Sequence, residues 1–230
     1  MPRGRGRPVR ASRPVNTANQ PNNVQTRGRK RQAEEDGDSL AEDTSLQSNA
    51  DVWVLGDSLP YWAGVHASDT FKSNLKIDGV SIAWWGKRGL GWSGLRSHIE
   101  LQVLFSQPPK MVIINLGGND LQSFKTPDIR NLIKQEIDYL RDAFPDTLLV
   151  WMDILPRTWP ENENKPLNLK RKRLNRLGRR IVMESGKGAI ITTEINDACF
   201  FRPDGIHLNI VGLEFYLDYL KDAIVENLLN

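Results

Sequence analysis

Small polar residues follow two apolar stretches of the chain, and a histidine lies near its C-terminal end. Ser58 follows the run "VWVLGD", Asn119 follows "MVIINLGG", and Asp204 and His207 lie in "FRPDGIHLN". A serine hydroxyl becomes a nucleophile when a base takes its proton, and histidine is the usual base near neutral pH. Asp204 can hold the tautomer of His207, and an asparagine amide can donate to a developing oxyanion. These four side chains therefore have the chemistry needed for acyl transfer through a serine.

Each of these residues also has an ordinary structural interpretation. Ser58 could cap a helix that begins at Leu59, which is a frequent role of serine. Asn119 alone could be a turn residue, and His207 alone could be a surface or core histidine. The combination, the order and the preceding strands favour an active site over these separate roles. Glycines beside Asn119 would then let a substrate approach the backbone.

Apolar runs and helical patterns succeed each other along the chain. This succession predicts a parallel sheet with helices on both faces. In such sheets the ligand site lies at the carboxyl ends of the strands, which is where Ser58 and Asn119 occur. The predicted strands contain the sequences "VWVLG", "VSIAWWG", "KMVIINLGGND", "TLLVWMDILP" and "GAIITT".

Helical spacing of apolar residues is clear in residues 126–144, 167–184 and 212–229. In the first segment Thr126 is the predicted N-cap, and Pro127 is the predicted first helical residue. The second segment carries the basic run "KRKRLNRLGRR", which is either a solvated outer face or a contact for nucleic acid or a partner. Its apolar side is formed by Leu167, Leu174, Leu177 and Ile181.

The combined pattern resembles the SGNH, or GDSL-type, hydrolase family over residues 51–230. Ser58 in "GDSL" matches the nucleophile block, Asn119 lies in the Gly-x-Asn-Asp block, and Asp204 and His207 form the Asp-x-x-His block. The glycine of the second block is either Gly89 or Gly91, and Gly89 is favoured because Ile99 then falls where the following helix packs. The resemblance implies a three-layer α/β/α, flavodoxin-like fold. It also implies an oxyanion hole made by the Ser58 N–H, the Gly89 N–H and the Asn119 side chain.

The same resemblance implies metal-independent hydrolysis of an acyl ester through an acyl-enzyme, without a cofactor. An acyltransferase would use the same triad. Another class of function is a nucleic-acid-associated module whose esterase fold no longer turns over substrate. Esterase-like domains of some eukaryotic mobile elements also combine a basic tail with such a domain, and "FRPDGIHL" after an Arg-rich helix resembles them more loosely.

Residues 1–50 differ in composition from the remainder of the chain. They hold nine basic residues followed by six acidic ones, so the formal net charge of +3 belongs to them. With almost no large apolar side chains, this segment is predicted to be a disordered tail. A second "GDSL", at residues 37–40, lies there with no strand before it, and Ser39 is therefore interpreted as exposed linker.

The tail has a motif of its own, Arg5-Gly6-Arg7-Pro8, which resembles the core of an AT-hook. In that motif two arginines enter a narrow, A·T-rich minor groove. The simpler interpretation is a basic arm with phosphate-level affinity for DNA or RNA. "RGRKRQ" from Arg27 resembles a nuclear-import signal.

Several functional classes are disfavoured by what the chain lacks. Cys199 is the only cysteine, so no intrachain disulfide is possible. Three histidines and no paired cysteines make a zinc site improbable, and no metal is predicted. No apolar run is long enough to span a bilayer, and the basic N-terminus has no apolar segment after it. The sequence thus predicts an intracellular protein, nuclear or cytoplasmic, without a signal peptide.

Overall fold

The computed structural model describes residues 49–157 and 161–229. Within them, five parallel strands form one sheet in the order β2-β1-β3-β4-β5. All five strands predicted from the sequence are present. Their bounds are β1 Val52–Gly56, β2 Ile82–Gly86, β3 Met111–Asn115, β4 Leu148–Met152 and β5 Gly188–Ile191.

Six α-helices connect or follow the strands of this described part. The helix predicted over residues 126–144 is confirmed, but its N-cap is Lys125, so Thr126 is already helical. The helix with the basic run begins earlier than its apolar spacing indicates, because its first turns are polar. The bounds are α1 Ser58–Asp69, α2 Trp92–Phe105, α3 Asp120–Ser123, α4 Thr126–Ala143, α5 Glu161–Glu184 and α6 Ile210–Leu228.

The sheet separates two apolar cores, and alternate strand residues contribute to each of them. Trp53 and Leu55 of β1 face one core, whereas Val52 and Val54 face the other. Helices α2, α4 and α5 cover the first core, and helices α1 and α6 cover the second. Because both faces are covered, the strands are apolar without alternation. The prediction of a three-layer α/β/α fold is confirmed.

The register of the central strands brings three connections to one edge of the sheet. Gly56, the last residue of β1, pairs with Gly86 of β2 and with Asn115 of β3. The chain leaves all three strands at this level, so the segments carrying Ser58, Gly89 and Asn119 start side by side. This alignment follows from parallel pairing alone, since carboxyl ends of parallel strands meet at the same edge.

Several predictions fall outside the described residues. One is the predicted disordered tail at residues 1–50, of which only the last two residues are described. Two motifs within that tail also lie outside, the second "GDSL" and the AT-hook-like Arg5, Gly6, Arg7 and Pro8. The boundary at residue 50 stays a prediction for the same reason. Among the described helices, none is both long and apolar enough to cross a membrane.

Candidate active site

The end of β1 is built so that the chain turns directly into a helix. A Cβ on Gly56 would stand 2.1 Å from the carbonyl oxygen of Asn115, so only glycine fits between these strands. Asp57 follows, and its carboxylate accepts the Leu59 N–H at 3.1 Å as the N-cap of α1. Ser58 is therefore inside the helix, and the interpretation of Ser58 as the cap is wrong. Its side chain lies in the first turn, at the carboxyl edge of the sheet.

Ser58, His207 and Asp204 form one hydrogen-bonded series. His207 Nε2 lies 3.1 Å from Ser58 Oγ, and His207 Nδ1 lies 2.7 Å from Asp204 Oδ2. Residues 58 and 207 are 149 positions apart in the chain, so the fold alone creates this contact. A carboxylate on Nδ1 favours the tautomer in which Nε2 is free to accept the serine proton. The geometry suits activation of Ser58 as a nucleophile.

The loop that carries Asp204 and His207 is closed by its own backbone. The Arg202 N–H donates to the His207 carbonyl at 2.7 Å, and Gly205 takes a φ of +64° in the turn between them. The Asn209 side chain then caps α6 by accepting the Gly212 N–H at 3.0 Å. These contacts hold the imidazole at the start of a helix that packs against the sheet.

The carboxylate of Asp204 accepts three hydrogen bonds. Its partners are the ring of His207 and the backbone N–H groups of Ile206, at 2.8 Å, and His207, at 2.9 Å. Partial burial disfavours its charged form, but these hydrogen bonds outweigh burial and lower the pKa of Asp204 to about 2. Asp204 is therefore ionised throughout the neutral range and can stabilise a protonated His207.

Asn119 lies beside the loop between β2 and α2. Its Nδ2 donates to the Leu90 carbonyl at 2.8 Å, which leaves the second N–H of the amide for another acceptor. Gly89, the neighbour of Leu90, is exposed and takes a φ of +76°. The structure thus brings the predicted hole residues Asn119 and Gly89 close to each other.

The glycines before Asn119 lie against side chains of the protein. A Cβ on Gly117 would stand 2.9 Å from Ile154 and 3.0 Å from the Trp92 indole nitrogen. A Cβ on Gly118 would stand 2.2 Å from Nη2 of Arg157. These glycines therefore make room for side chains of the protein, and the access of a substrate to the backbone beside Asn119 stays a prediction.

Arg157 is the site residue that the sequence analysis missed. It follows β4 and is only 8% exposed, with its guanidinium lying over Gly118. Its Nη1 donates to Asn119 Oδ1 at 3.1 Å, and its Nη2 lies 3.3 Å from Asp57 Oδ2. A signal was available in "ILPR", because an arginine directly after a buried strand lies at the edge where ligands bind.

Buried charges surround this arginine. Burial raises the pKa of Asp57, although the charge of Arg157 opposes that shift. Burial also lowers the pKa of Arg157, and the nearby carboxylates of Asp57, Asp120 and Asp204 oppose it. Arginine stays protonated in proteins, so Arg157 supplies a buried cation beside the carboxylate of Asp57.

No cluster of three or more histidine, cysteine, aspartate or glutamate side chains suited to a metal ion occurs in residues 49–157 and 161–229. The two histidines outside the triad have local partners. His66 contacts Glu214 at 2.7 Å, and His98 contacts the Trp85 carbonyl at 3.2 Å. Both side chains are held by these structural contacts.

A family model for GDSL-like lipases and acylhydrolases matches residues 37–213. The chain belongs to this GDSL-like lipase/acylhydrolase family. The matched range covers more than half of the chain and includes the whole sheet and the residues Ser58, Asn119, Asp204 and His207. Comparison with curated proteins gives no match.

Several solved structures have a fold similar to that of this chain. A candidate platelet activating factor from Streptococcus pneumonia is 18% identical, with a TM-score of 0.62, 80% of this chain covered and 94% of that one. A lipase/acylhydrolase from Enterococcus faecalis is 15% identical, with a TM-score of 0.58 and coverages of 75% and 94%. The esterase EstA from Pseudoalteromonas sp. is 16% identical, with a TM-score of 0.57 and coverages of 78% and 98%. At these identities the likeness establishes the fold, and the family membership supports a hydrolase of the SGNH type.

Proposed function

We propose that the protein is a serine ester hydrolase whose nucleophile is Ser58. The observation that carries the proposal is the continuous series Asp204–His207–Ser58, with contacts of 2.7 and 3.1 Å at the carboxyl edge of the sheet. Membership of the acylhydrolase family supports the same reaction class. The substrate is an acyl ester, and the steps below need neither a metal nor a cofactor.

In the acylation step, Ser58 Oγ attacks the acyl carbonyl while His207 Nε2 takes the hydroxyl proton. Asp204 stabilises the imidazolium that forms. The negative charge on the carbonyl oxygen is received by three donors, the Asn119 amide and the backbone N–H groups of Ser58 and Gly89. His207 then protonates the leaving alcohol, and the ester bond breaks to leave an acyl-serine.

In the deacylation step, water attacks the acyl-serine. His207 takes a proton from the water, and the same donors hold the second oxyanion. Collapse of this intermediate returns the proton to Ser58 and releases the acid. The positions of Ser58 and Asn119 after adjacent strands, and of His207 before α6, support this sequence of steps.

The test is covalent labelling of Ser58 by a fluorophosphonate, followed by turnover of a panel of esters. The label should be found by mass spectrometry on the peptide that contains Ser58. Ser58→Ala should abolish labelling and turnover, whereas Ser39→Ala, the matched change in the other "GDSL", should leave both unchanged. Labelling that survives in Ser58→Ala would refute the assignment of the nucleophile.

A second function, binding of a polyanion such as DNA or RNA, is favoured by one surface of α5. Arg173, Arg176 and Arg180 are exposed and, with Leu177, line an open cavity of about 390 Å³. Their spacing puts the three guanidinium groups along one stripe of the helix. This surface would add phosphate contacts to those predicted for Arg5 and Arg7 of the N-terminal arm.

Binding of the full chain to A·T-rich and G·C-rich duplexes separates the two basic regions. Replacing Arg5 and Arg7 by Ala should remove a preference for A·T-rich DNA. Replacing Arg176 and Arg180 by Glu should weaken binding to both duplexes and flatten its salt dependence. If the unaltered chain binds neither duplex at low salt, the nucleic-acid proposal is wrong.

A further inference from the structure

We infer that Arg157 is a positioning residue for the oxyanion hole, acting through the side chain of Asn119. The inference deepens the proposed esterase and rests on it. Arg157 is 8% exposed, so its charge is directed at protein groups and not at solvent. One of those groups is Asn119 Oδ1, at 3.1 Å from Nη1.

The contacts of Asn119 fix which end of its amide faces the site. A guanidinium has donors only, so Arg157 can bond to the amide oxygen and not to the amide nitrogen. The Leu90 carbonyl is an acceptor only, and it lies 2.8 Å from Nδ2. Both contacts select the same orientation, in which one N–H of Nδ2 is left for the oxyanion. A rotated amide would place an oxygen there, which would repel the developing charge.

The charge of Arg157 adds to this effect of orientation. A hydrogen bond from a cation to the amide oxygen polarises the amide and makes its N–H a stronger donor. The transition state, in which the oxyanion forms, gains more from a stronger donor than the ground-state ester does. Loss of Arg157 should therefore lower kcat and leave KM nearly unchanged.

Two features of the structure are arranged around this arginine. The guanidinium lies over Gly118, where a Cβ would meet Nη2 at 2.2 Å, Cζ at 2.6 Å and Nε at 2.9 Å. Its other end is held by Asp57, the N-cap of the nucleophile helix, at 3.3 Å. Arg157 thus connects the segment of Ser58 with the segment of Asn119, and only glycine at 118 leaves it the space.

The test measures kcat and KM of a short p-nitrophenyl ester for Arg157→Lys and Gly118→Ala. Lysine keeps the charge near Asp57 but lacks the fork that reaches both partners. Alanine at 118 keeps the arginine but pushes the flexible end of its side chain away from Asn119. Each variant should lower kcat about tenfold, less than loss of the donor itself because the Leu90 contact remains. KM should stay within about twofold.

A double-mutant cycle with Asn119→Ala separates positioning from general damage to the fold. In the Asn119→Ala background, Arg157→Lys and Gly118→Ala should lower kcat by no more than about twofold, because their target is gone. Arg179→Lys is the matched control, since Arg179 pairs with Asp153 through Nε at 2.9 Å and has no contact with Asn119. It should leave kcat unchanged.

Three outcomes would overturn the inference while the esterase stands. They are wild-type kcat in both variants, an equal loss of kcat in the Asn119→Ala background, and a change confined to KM. Gly118→Ala decides the matter if Arg157→Lys does not fold, as judged by near-ultraviolet circular dichroism. If the unaltered protein is no faster than Ser58→Ala, the proposed function fails, and the inference fails with it.

Discussion

Two carboxylates of the site, Asp204 and Asp57, have opposite surroundings. The side chain of Asp204 is 44% exposed and accepts two backbone N–H groups besides His207, whereas that of Asp57 is 3% exposed beside Arg157. Hydrogen bonds outweigh burial at Asp204 and lower its pKa to about 2, whereas burial dominates at Asp57 and raises its pKa. A hydrated charge can change its interactions during a reaction at little cost. A buried ion pair fixes the positions of the groups around it, because loss of either partner leaves the other charge buried and unpaired at a high cost in free energy.

The comparison therefore divides the site into a partly exposed loop, residues 202–208, which carries Asp204 and His207, and a network in which the buried Asp57 and Arg157 hold the half-buried Asn119. Changes in the loop should reduce turnover with little loss of stability. Changes at the buried ion pair should reduce stability, and turnover should follow from displaced groups. The predictions below test this division.

The largest effect is expected for the triad. Ser58→Ala and His207→Ala should each lower kcat by at least about 10⁴-fold, because the serine and its base act as a unit. For the same reason the double variant should be little slower than either single variant. Steady-state hydrolysis of a p-nitrophenyl ester measures these rates. Melting temperatures close to that of the unaltered protein would show that the fold is intact. A double variant ten times slower than either single variant would contradict the claim that Ser58 and His207 act as a unit.

The largest effect on stability is expected at Asp57. Asp57→Ala should lower the free energy of unfolding by about 3–5 kcal/mol, since it strands the buried charge of Arg157 and removes the cap of α1. Urea denaturation followed by tryptophan fluorescence measures this change. Asp138→Ala is a control, because Asp138 pairs with Lys134 at 2.8 Å on the exposed surface of α4 and should cost about 1 kcal/mol or less. Equal costs for the two variants would remove the distinction between buried and hydrated carboxylates.

The same division explains what could be predicted from the sequence. The strands could be predicted because β1 and the first four residues of β3 are apolar without interruption, and α4 because its apolar residues repeat at helical spacing. Short motifs in the sequence identified four candidate site residues, Ser58, Asn119, Asp204 and His207. Local sequence patterns thus indicate both the secondary structure and the candidate site residues, and the fold predicted from them is confirmed.

The position of Arg157 at the edge of the sheet could be predicted, but its contacts with Asp57 and Asn119 could not, because only the fold joins these residues. Arg157 and Asp57 are 100 positions apart, and Arg157 and Asn119 are 38 apart. No spacing rule links them, and an arginine in a loop is ordinarily expected in solvent. The packing of Arg157 over Gly118 could not be predicted for the same reason, since the sequence does not show which side chain fills the space above a glycine.

Loss of the oxyanion donor should have an intermediate effect. Asn119→Ala should lower kcat on the order of a hundredfold, as expected for one donor of an oxyanion hole, with KM little changed. Gln122→Ala, an exposed amide three residues later, is the control and should leave kcat unchanged. If the change at Asn119 raises KM alone, the side chain binds the ground state and the hole must be formed by other donors.

A smaller effect is expected in the pH dependence of stability. Because the folded-state pKa of Asp204 is about 2, below its unfolded value, its ionised form stabilises the fold at neutral pH. That contribution should be lost as pH falls from about 5 towards 2, and should be about 1 kcal/mol or less for this partly exposed group. The measurement compares the free energies of unfolding of the unaltered protein and Asp204→Asn across this range. A difference that grows on acidification would contradict the sign.

The smallest effect is expected where the exposed loop meets the nucleophile helix. The guanidinium carbon of Arg202 lies 5.1 Å from the centre of the Trp62 ring on α1, and Arg202 Nε donates to the Leu208 carbonyl at 3.1 Å. A partly exposed cation–π contact contributes about 0.5–1 kcal/mol, so Trp62→Leu should lower kcat only about twofold by loosening the loop against Ser58. Trp62→Phe, which keeps an aromatic face, should be closer to the unaltered protein. The ratio of kcat for Trp62→Phe to kcat for Trp62→Leu measures the effect of the aromatic ring separately from the effect of side-chain volume. A loss of a hundredfold in Trp62→Leu would mean that the loop depends on Trp62 for its position, and that its own backbone hydrogen bonds do not suffice to hold His207 at Ser58.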